Sequence, residues 1–137
     1  MIILDTNVVS ELMRATPDPN VAAWAVATDS QLFLTSLTIA EIRYGIARLP
    51  EGTRKQDITS AAARIFTTFS RRVVPFDLAA ADAYGDLVAG CEAQGRPIAV
   101  FDAQIAAVCH ARSALLATRN VKDFEATGIG VINPWNT

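Results

Sequence analysis

Short apolar runs alternate along the chain with longer segments that have helical periodicity. The first run, Ile2–Leu4, is typical of a buried strand, and the polar residues from Asp5 to Asn7 end it. Residues 54–70 place apolar side chains on one stripe, which predicts an amphipathic helix. The same criteria predict strands at residues 2–4, 32–35, 73–74, 115–117 and 131–133. They predict helices at residues 8–13, 20–28, 54–70, 78–94 and 102–112. They also predict a helix that is capped by Ser36 or Thr38 and runs to about residue 49.

This alternation of strands and helices predicts a parallel sheet covered by helices on both faces. A chain of 137 residues fits a single domain that spans residues 1–137. Sheets of this kind place ligands beyond the carboxyl ends of their strands, where the strand order switches. The polar residues that directly follow each strand are therefore the candidates for chemistry.

Composition narrows the class of protein. Hydrophobic residues make up 51% of the chain, which is enough for one core, and Asp5 interrupts the apolar start too early for a signal peptide. No apolar run approaches the roughly 20 residues of a membrane span. Neither Cys91 nor Cys109 has a CxxC partner, so both are predicted to be buried free thiols. These features favour a cytoplasmic protein that does not enter a membrane.

The net charge of −2 argues against a nucleic-acid-binding protein, because phosphate contacts favour a basic surface. That objection weakens if a carboxylate-lined site binds a divalent cation, which reverses the charge locally. Of the 12 basic residues 10 are arginine, the better bidentate ligand for phosphate, although GC-rich coding would give the same bias.

Acidic residues follow several of the predicted strands. Asp5 follows the first strand, Glu41 lies one turn into the helix after the second, and Asp102 begins the helix before the fourth. A doubly wound sheet can bring these positions to one edge. Three further polar residues, Thr118, Asn120 and Asp123, follow the fourth strand.

Clustered carboxylates repel one another unless a cation binds between them. Hard oxygen ligands suit Mg²⁺ or Mn²⁺, and Mg²⁺ commonly takes only one or two carboxylates and leaves room for water and substrate phosphate. Such an ion can activate water and stabilise a leaving oxygen, so phosphodiester hydrolysis would need no nucleophilic side chain.

Each acid also has an ordinary structural interpretation. Asp5 and Asp102 can be helix N-caps, and Glu41, three residues after Thr38, matches a capping box. Asp123 can be an ordinary loop residue. The shared position at strand ends favours the functional interpretation of the whole set.

Three segments of the chain resemble PIN-domain nucleases. They are MIILDTNVVSEL at residues 1–12, SLTIAEIRYGI at residues 36–46 and, at residues 96–135, RPIAVFDAQIAAVCHARSALLATRNVKDFEATGIGVINPW. The last is similar to the third and fourth segments of VapC toxins and of the related FitB proteins. The resemblance extends over nearly the whole chain and is loosest between residues 51 and 72.

The resemblance implies a three-layer α/β/α fold with a five-stranded parallel sheet. It implies Mg²⁺- or Mn²⁺-dependent endonucleolytic cleavage of RNA that leaves a 5′ phosphate and a 3′ hydroxyl. Asp5, Glu41 and Asp102 would hold the metal, with Thr6 and Thr118 as supporting hydroxyls. The fourth catalytic position is Asn120, where many relatives carry aspartate. Its side chain offers an oxygen without a charge, so three alternatives stay open: Asn120 fills the position, Asp123 substitutes for it, or a second metal binds weakly.

The resemblance also implies partners: a small VapB-like antitoxin, operator DNA reached only through that antitoxin, and a second copy of the chain in a homodimer. The main alternative is a PIN-fold binding module that has lost catalysis and acts through a DNA-binding antitoxin. A phosphatase of the haloacid-dehalogenase type is disfavoured, because Asn7 stands where that chemistry needs a second acid. The candidate RNA-binding residues are Arg14, Arg43, Arg96 and Arg119.

Overall fold

A five-stranded, fully parallel sheet forms the centre of the molecule in the computed structural model, which describes residues 1–137. The strand order is β3-β2-β1-β4-β5, so the chain first builds the sheet outward on one side of β1 and then switches to the other side. The predicted three-layer architecture is confirmed. The strands are β1 (Ile2–Leu4), β2 (Leu32–Thr35), β3 (Val73–Val74), β4 (Leu115–Ala117) and β5 (Val131–Ile132).

Six α-helices cover the two faces of this sheet. None of them is both long enough and apolar enough to cross a membrane. Each begins and ends within three residues of its predicted bounds. The helices are α1 (Thr6–Met13), α2 (Pro19–Thr28), α3 (Ser36–Ala47), α4 (Thr53–Thr68), α5 (Leu78–Ala93) and α6 (Val100–Arg112), with short 3₁₀ helices at Asp29–Gln31, Val121–Thr127 and Pro134–Asn136.

The central strand separates two hydrophobic cores because its side chains alternate between the faces. Ile2 and Leu4 belong to a core shared with helices α1 to α4, which includes the buried Trp24. Ile3, between them, belongs to a second core that lies against α5 and α6. Both faces of β1 are therefore shielded from water, as its continuous apolar sequence predicts.

Helix starts are where the structure departs from the sequence-based expectation. The prediction that Ser36 or Thr38 caps α3 is wrong, and so is the alternative interpretation of Asp102 as the N-cap of α6. Thr35, the last residue of β2, caps α3 by accepting a hydrogen bond from the Thr38 N–H at 3.1 Å. Helix α6 begins at Val100 after Ala99, which provides no side-chain cap, so Asp102 lies within the first turn.

Candidate active site

The carboxyl edge of the sheet gathers the residues predicted to carry chemistry. Strand β1 lies between β2 and β4, so the residue after it occupies the middle of that edge. This residue is Asp5, whose N–H still donates to the Ala117 carbonyl of β4 at 2.9 Å. Thr118, directly after β4, lies beside it and is fully buried.

The Asp5 side chain is buried, with 5% of its residue surface exposed, and its carboxylate accepts three hydrogen bonds. Its Oδ1 accepts from the Thr6 N–H at 2.8 Å, which makes Asp5 the N-cap of α1, as its structural interpretation predicted. Its Oδ2 accepts from the Thr118 hydroxyl at 2.7 Å and from the Asn7 amide at 3.3 Å. Burial nevertheless raises the pKa of this carboxyl above its ordinary value, and the negative charge of Glu41 acts in the same direction.

Glu41 is linked to the first acidic segment through a hydroxyl. Thr6 Oγ1 donates to Glu41 Oε2 at 2.7 Å and lies 3.4 Å from the Thr38 hydroxyl. The alternative that Glu41 completes a capping box with Thr38 is wrong, because Thr38 lies inside the helix and Thr35 is the cap. The hydrogen bond from Thr6 places the Glu41 carboxylate beside the segment that follows β1.

Asp102 shares the electrostatic field of the other acids. Partial burial and the negative charges of Asp5, Asp123 and Glu41, in that order, raise its pKa from 3.8 to about 6. Each of these causes disfavours the charged carboxylate. Four acids, from the start of α1, from α3, from α6 and from the 3₁₀ helix Val121–Thr127, thus lie near enough to influence one another.

Asn120 and Asp123 compete for the fourth position. Asn120 is exposed, and its backbone N–H donates to the Thr118 hydroxyl at 3.1 Å, while its side chain makes no hydrogen bond. Asp123 raises the pKa of Asp102 and lines the same cavity. These observations favour Asp123 as the fourth acid.

The four carboxylates have no cationic partner. None of the five ion pairs in the structure includes Asp5, Glu41, Asp102 or Asp123. In this structure no three acidic, histidine or cysteine side chains lie close enough together to form a ready-made metal site, so a bound ion would have to draw the carboxylates together. An open set of oxygen donors with uncompensated charge fits Mg²⁺ or Mn²⁺, which keep water and substrate phosphate among their ligands.

Asn7 is the site residue that analysis of the sequence missed. Its amide donates to Asp5 Oδ2 at 3.3 Å and to the Thr118 hydroxyl at 3.2 Å, and its Oδ1 accepts from the Arg119 N–H at 3.1 Å. One side chain thereby joins the segment after β1 to the segment after β4. The sequence signal was present, since Asn7 lies two residues after the first acid.

The candidate arginines are spread over the molecule. Arg14 pairs with Glu11 at 3.0 Å and lines a cavity of about 660 Å³ between α1 and α4, which none of the four acids lines. Arg43 lies 5.0 Å from the centre of the Phe66 ring. Arg119 lies 5.0 Å from the centre of the Trp135 ring, and Arg96 pairs with Glu125 at 2.8 Å. Only Arg96 shares a cavity with Asp102.

The two thiols offer no nucleophile to this site. Cys91 and Cys109 are both buried and unpaired, as predicted. Burial and the nearby charge of Asp5 raise the pKa of the Cys109 thiol to about 12, so the thiol stays protonated at neutral pH. The carboxylates therefore dominate the chemistry of the sheet edge.

Comparison with known proteins agrees with this geometry. The family model described as "PIN domain" matches residues 2–129. The chain is 42% identical to "VapC ribonuclease Y4jK" from Sinorhizobium fredii over 98% of each chain, and 36% identical to "Toxin FitB" from Neisseria gonorrhoeae over 99% of each chain.

The fold comparison points to the same group. A solved structure described as FitAB bound to an IR36 DNA fragment superposes with a TM-score of 0.90 at 36% identity, covering 98% of this chain and 96% of the other. The likeness extends over the full sheet and both helical layers, so it cannot come from one shared motif. The chain therefore belongs to the PIN-domain family, within its VapC- and FitB-like branch.

Proposed function

We propose that this protein is a metal-dependent endoribonuclease that acts as the toxin of a VapBC-like toxin–antitoxin pair. The observation that carries the proposal is the cluster of Asp5, Glu41, Asp102 and Asp123, which lacks any cationic partner at the carboxyl edge of the sheet. The name of the similar VapC ribonuclease supports RNA as the substrate. Cleavage of cellular RNA would take place in the cytoplasm.

In this proposal the carboxylates of Asp5, Asp102 and Glu41 hold Mg²⁺ or Mn²⁺, and Asp123 replaces the acid missing at Asn120. The ion, when bound, supplies activation of water and stabilisation of charge on the phosphate and the leaving oxygen. Thr6 fixes Glu41, and Thr118 fixes Asp5. These hydroxyls orient carboxylates that would otherwise move apart, because like charges repel.

The test is cleavage of total cellular RNA by purified protein that has been separated from any antitoxin. We expect defined fragments with 5′ phosphates in the presence of Mg²⁺ or Mn²⁺, and intact RNA in EDTA. A Glu41→Gln preparation controls for contaminating nucleases, because Glu41 is exposed and its loss should leave the fold intact. Cleavage that persists in EDTA, or equal cleavage by the Glu41→Gln protein, would refute the proposal. A folded protein that cleaves no RNA with either metal would favour the alternative, a binding module without catalysis.

We further propose two protein partners: a VapB-like antitoxin, through which operator DNA is reached, and a second copy of this chain. The FitAB complex with a DNA fragment supports the first. The second is carried over from the resemblance to VapC-like toxins alone, because the most exposed large apolar side chains, Val26, Leu78 and Val100, lie on separate parts of the surface. We expect sedimentation equilibrium to give twice the 14.7 kDa chain mass at micromolar concentration. A purely monomeric protein at that concentration would contradict the homodimer.

A further inference from the structure

A cavity of about 420 Å³ lies beside the acidic cluster. The loop of residues 95–99, between α5 and α6, forms part of its lining, and the 3₁₀ helix Val121–Thr127 contributes Lys122, Asp123 and Ala126. Asp102 lines it as well. Its volume lies within the range of small-ligand pockets, roughly 300–1,000 Å³. A nucleotide-sized group in this cavity would be in contact with one of the proposed metal ligands.

Two side chains, one from the loop and one from the C-terminal end of α5, connect this region to the 3₁₀ helix. Arg96 donates to Glu125 Oε2 at 2.8 Å and to the Lys122 carbonyl at 3.0 Å. Gln94 donates to the Ala126 carbonyl at 3.1 Å. The cavity is therefore preformed, since both parts of its lining are cross-linked without a ligand. Because Arg96 already has hydrogen-bond partners within the protein, we assign it a structural role in this cavity.

Lys122 is the unpaired cation of the cavity. Its ammonium group takes part in none of the ion pairs, and its side chain is exposed. Lys122 lines the cavity together with Asp102 and Asp123, so one lining carries both a cation and two of the acids. The other lysine of the chain, Lys55, pairs with Glu51 at 2.7 Å and lies on α4. Only Lys122 combines a free ammonium group with this cavity.

We infer that this cavity is the subsite for the RNA nucleotide next to the cleaved bond, and that Lys122 binds that nucleotide's phosphate. The inference rests on the proposed ribonuclease function. Asp102 and Asp123 repel a bare phosphate, so the cavity alone is a poor anion site. A polynucleotide meets both requirements, because one phosphate can lie at the metal while its neighbour reaches the ammonium group of Lys122.

A lysine that contacts phosphate carries no base information. Lys122 is therefore expected to strengthen binding of all RNA sequences to a similar degree. Base preference at this subsite would come instead from the loop of residues 95–99, which lines the cavity. A test of Lys122 should therefore measure the affinity for RNA and how that affinity depends on salt concentration.

The test measures binding of a fluorescent, mixed-sequence, single-stranded RNA in Mg²⁺ on the Glu41→Gln background, which prevents cleavage during the titration. We expect Lys122→Ala to weaken binding about tenfold at low salt, as for the loss of one hydrogen bond to a charged group. The slope of log affinity against log salt should become shallower by about 0.7, because the loss of one phosphate contact reduces the number of counterions released on binding. Lys122→Arg should keep the parent slope.

Lys55→Ala is the matched control, since it also removes one lysine charge, and it should change neither affinity nor slope beyond error. Thermal unfolding of each variant should match the parent, because neither replaced side chain is part of a hydrophobic core. An unchanged slope in Lys122→Ala, while the wild-type protein still cleaves RNA, would overturn the subsite and leave the proposed function standing. Weaker antitoxin binding with normal RNA binding would overturn it too, by assigning the cavity to the protein partner. Absence of both RNA binding and cleavage in the wild-type protein would instead refute the function itself.

Discussion

Replacement of Asp5 by asparagine is expected to abolish metal-dependent RNA cleavage while leaving the protein folded. Asp5 is the most buried of the four acids and lies at the middle of the sheet edge. Metal ions contribute several kcal/mol of transition-state stabilisation, which corresponds to a rate loss on the order of 10³-fold or more. The asparagine side chain would keep one oxygen but lose the charge that holds a divalent cation.

The fold should survive this change because asparagine caps a helix about as well as aspartate. The new side chain can keep its oxygen on the Thr6 N–H. The Thr118 hydroxyl, which already accepts from the Asn7 amide and the Asn120 N–H, then loses the oxygen to which it donates. The Asn7 amide, which donates to the same Asp5 oxygen, would also face another donor. Removal of a buried charge whose pKa is raised offsets that loss. We expect the free energy of unfolding in EDTA to change by about 1 kcal/mol or less.

Asp18→Asn is the matched control for this variant. Asp18 caps α2 by accepting from the Asn20 N–H at 2.8 Å, and it takes no part in the acidic cluster. This control should retain full cleavage activity. The measurements are single-turnover cleavage rates, Mg²⁺ affinity by calorimetry, and urea unfolding in EDTA. An Asp5→Asn protein that binds Mg²⁺ and cleaves RNA normally would show that Asp5 is only a helix cap.

The alternation of strands and helices was predictable because each element carries its own periodicity. Ile2–Leu4 is apolar at every position, and the structure buries it on both faces. The order of the strands could not be read in the same way. The sequence around β4 does not indicate that β4 pairs with β1, because the paired residues are more than a hundred positions apart in the chain.

Helix starts were the weakest part of the prediction, and the reason is visible at α3. Thr35, Ser36 and Thr38 are all residues that favour N-caps, so the sequence offered several starts within four positions. Tertiary structure decided among them, because Thr35 is fixed as the last residue of β2. At α6 the helix starts without any side-chain cap, a case that capping rules cannot anticipate.

The acidic residues of the site were predictable from their position after strands, but the contacts that fix them were not. Thr6 meets Glu41 across 35 residues of sequence, and Thr118 meets Asp5 across 113. Asn7 escaped notice because its role depends on the neighbouring strand β4, which lies far away in the chain. The choice between Asn120 and Asp123 was not predictable either, because it depends on which of them faces Asp102; Asp123 is near enough to raise the pKa of Asp102.

A second large effect is expected in the stability of the metal-free protein. Asp102 has a pKa of about 6 in the folded state, against 3.8 as the ordinary value, so the folded protein binds its proton more tightly than the unfolded chain does. The stabilisation that this proton provides is complete below about pH 4 and is lost as the pH rises through 6. Above that pH, the folded state bears the full repulsion among the acids.

Asp102→Asn removes this penalty, and it should therefore stabilise the metal-free protein at pH 7.5. The full shift corresponds to roughly 3 kcal/mol. Since Asp102 is only half-buried, solvent screening reduces the expected gain to about 1 kcal/mol. Near pH 4 the gain should vanish, because the parent carboxyl is then protonated and resembles an uncharged amide. Comparing the two proteins at each pH cancels the titration of the acids outside the cluster, whose surroundings the replacement leaves unchanged.

The measurement is urea unfolding of both proteins in EDTA between pH 4 and pH 8, repeated with saturating Mg²⁺ at pH 7.5. The parent should gain stability from Mg²⁺, whereas Asp102→Asn should gain much less, so the order of the two proteins reverses when metal is added. Asp77→Asn is a suitable control, because Asp77 caps α5 and pairs with Arg112 outside the cluster. A stability difference that stays constant from pH 4 to pH 8 would show that charge repulsion is not its cause. If the order reverses on addition of Mg²⁺, the Asp102 carboxylate destabilises the metal-free protein and stabilises the metal-bound one. That result would show that the repulsion among these carboxylates is relieved by a bound cation.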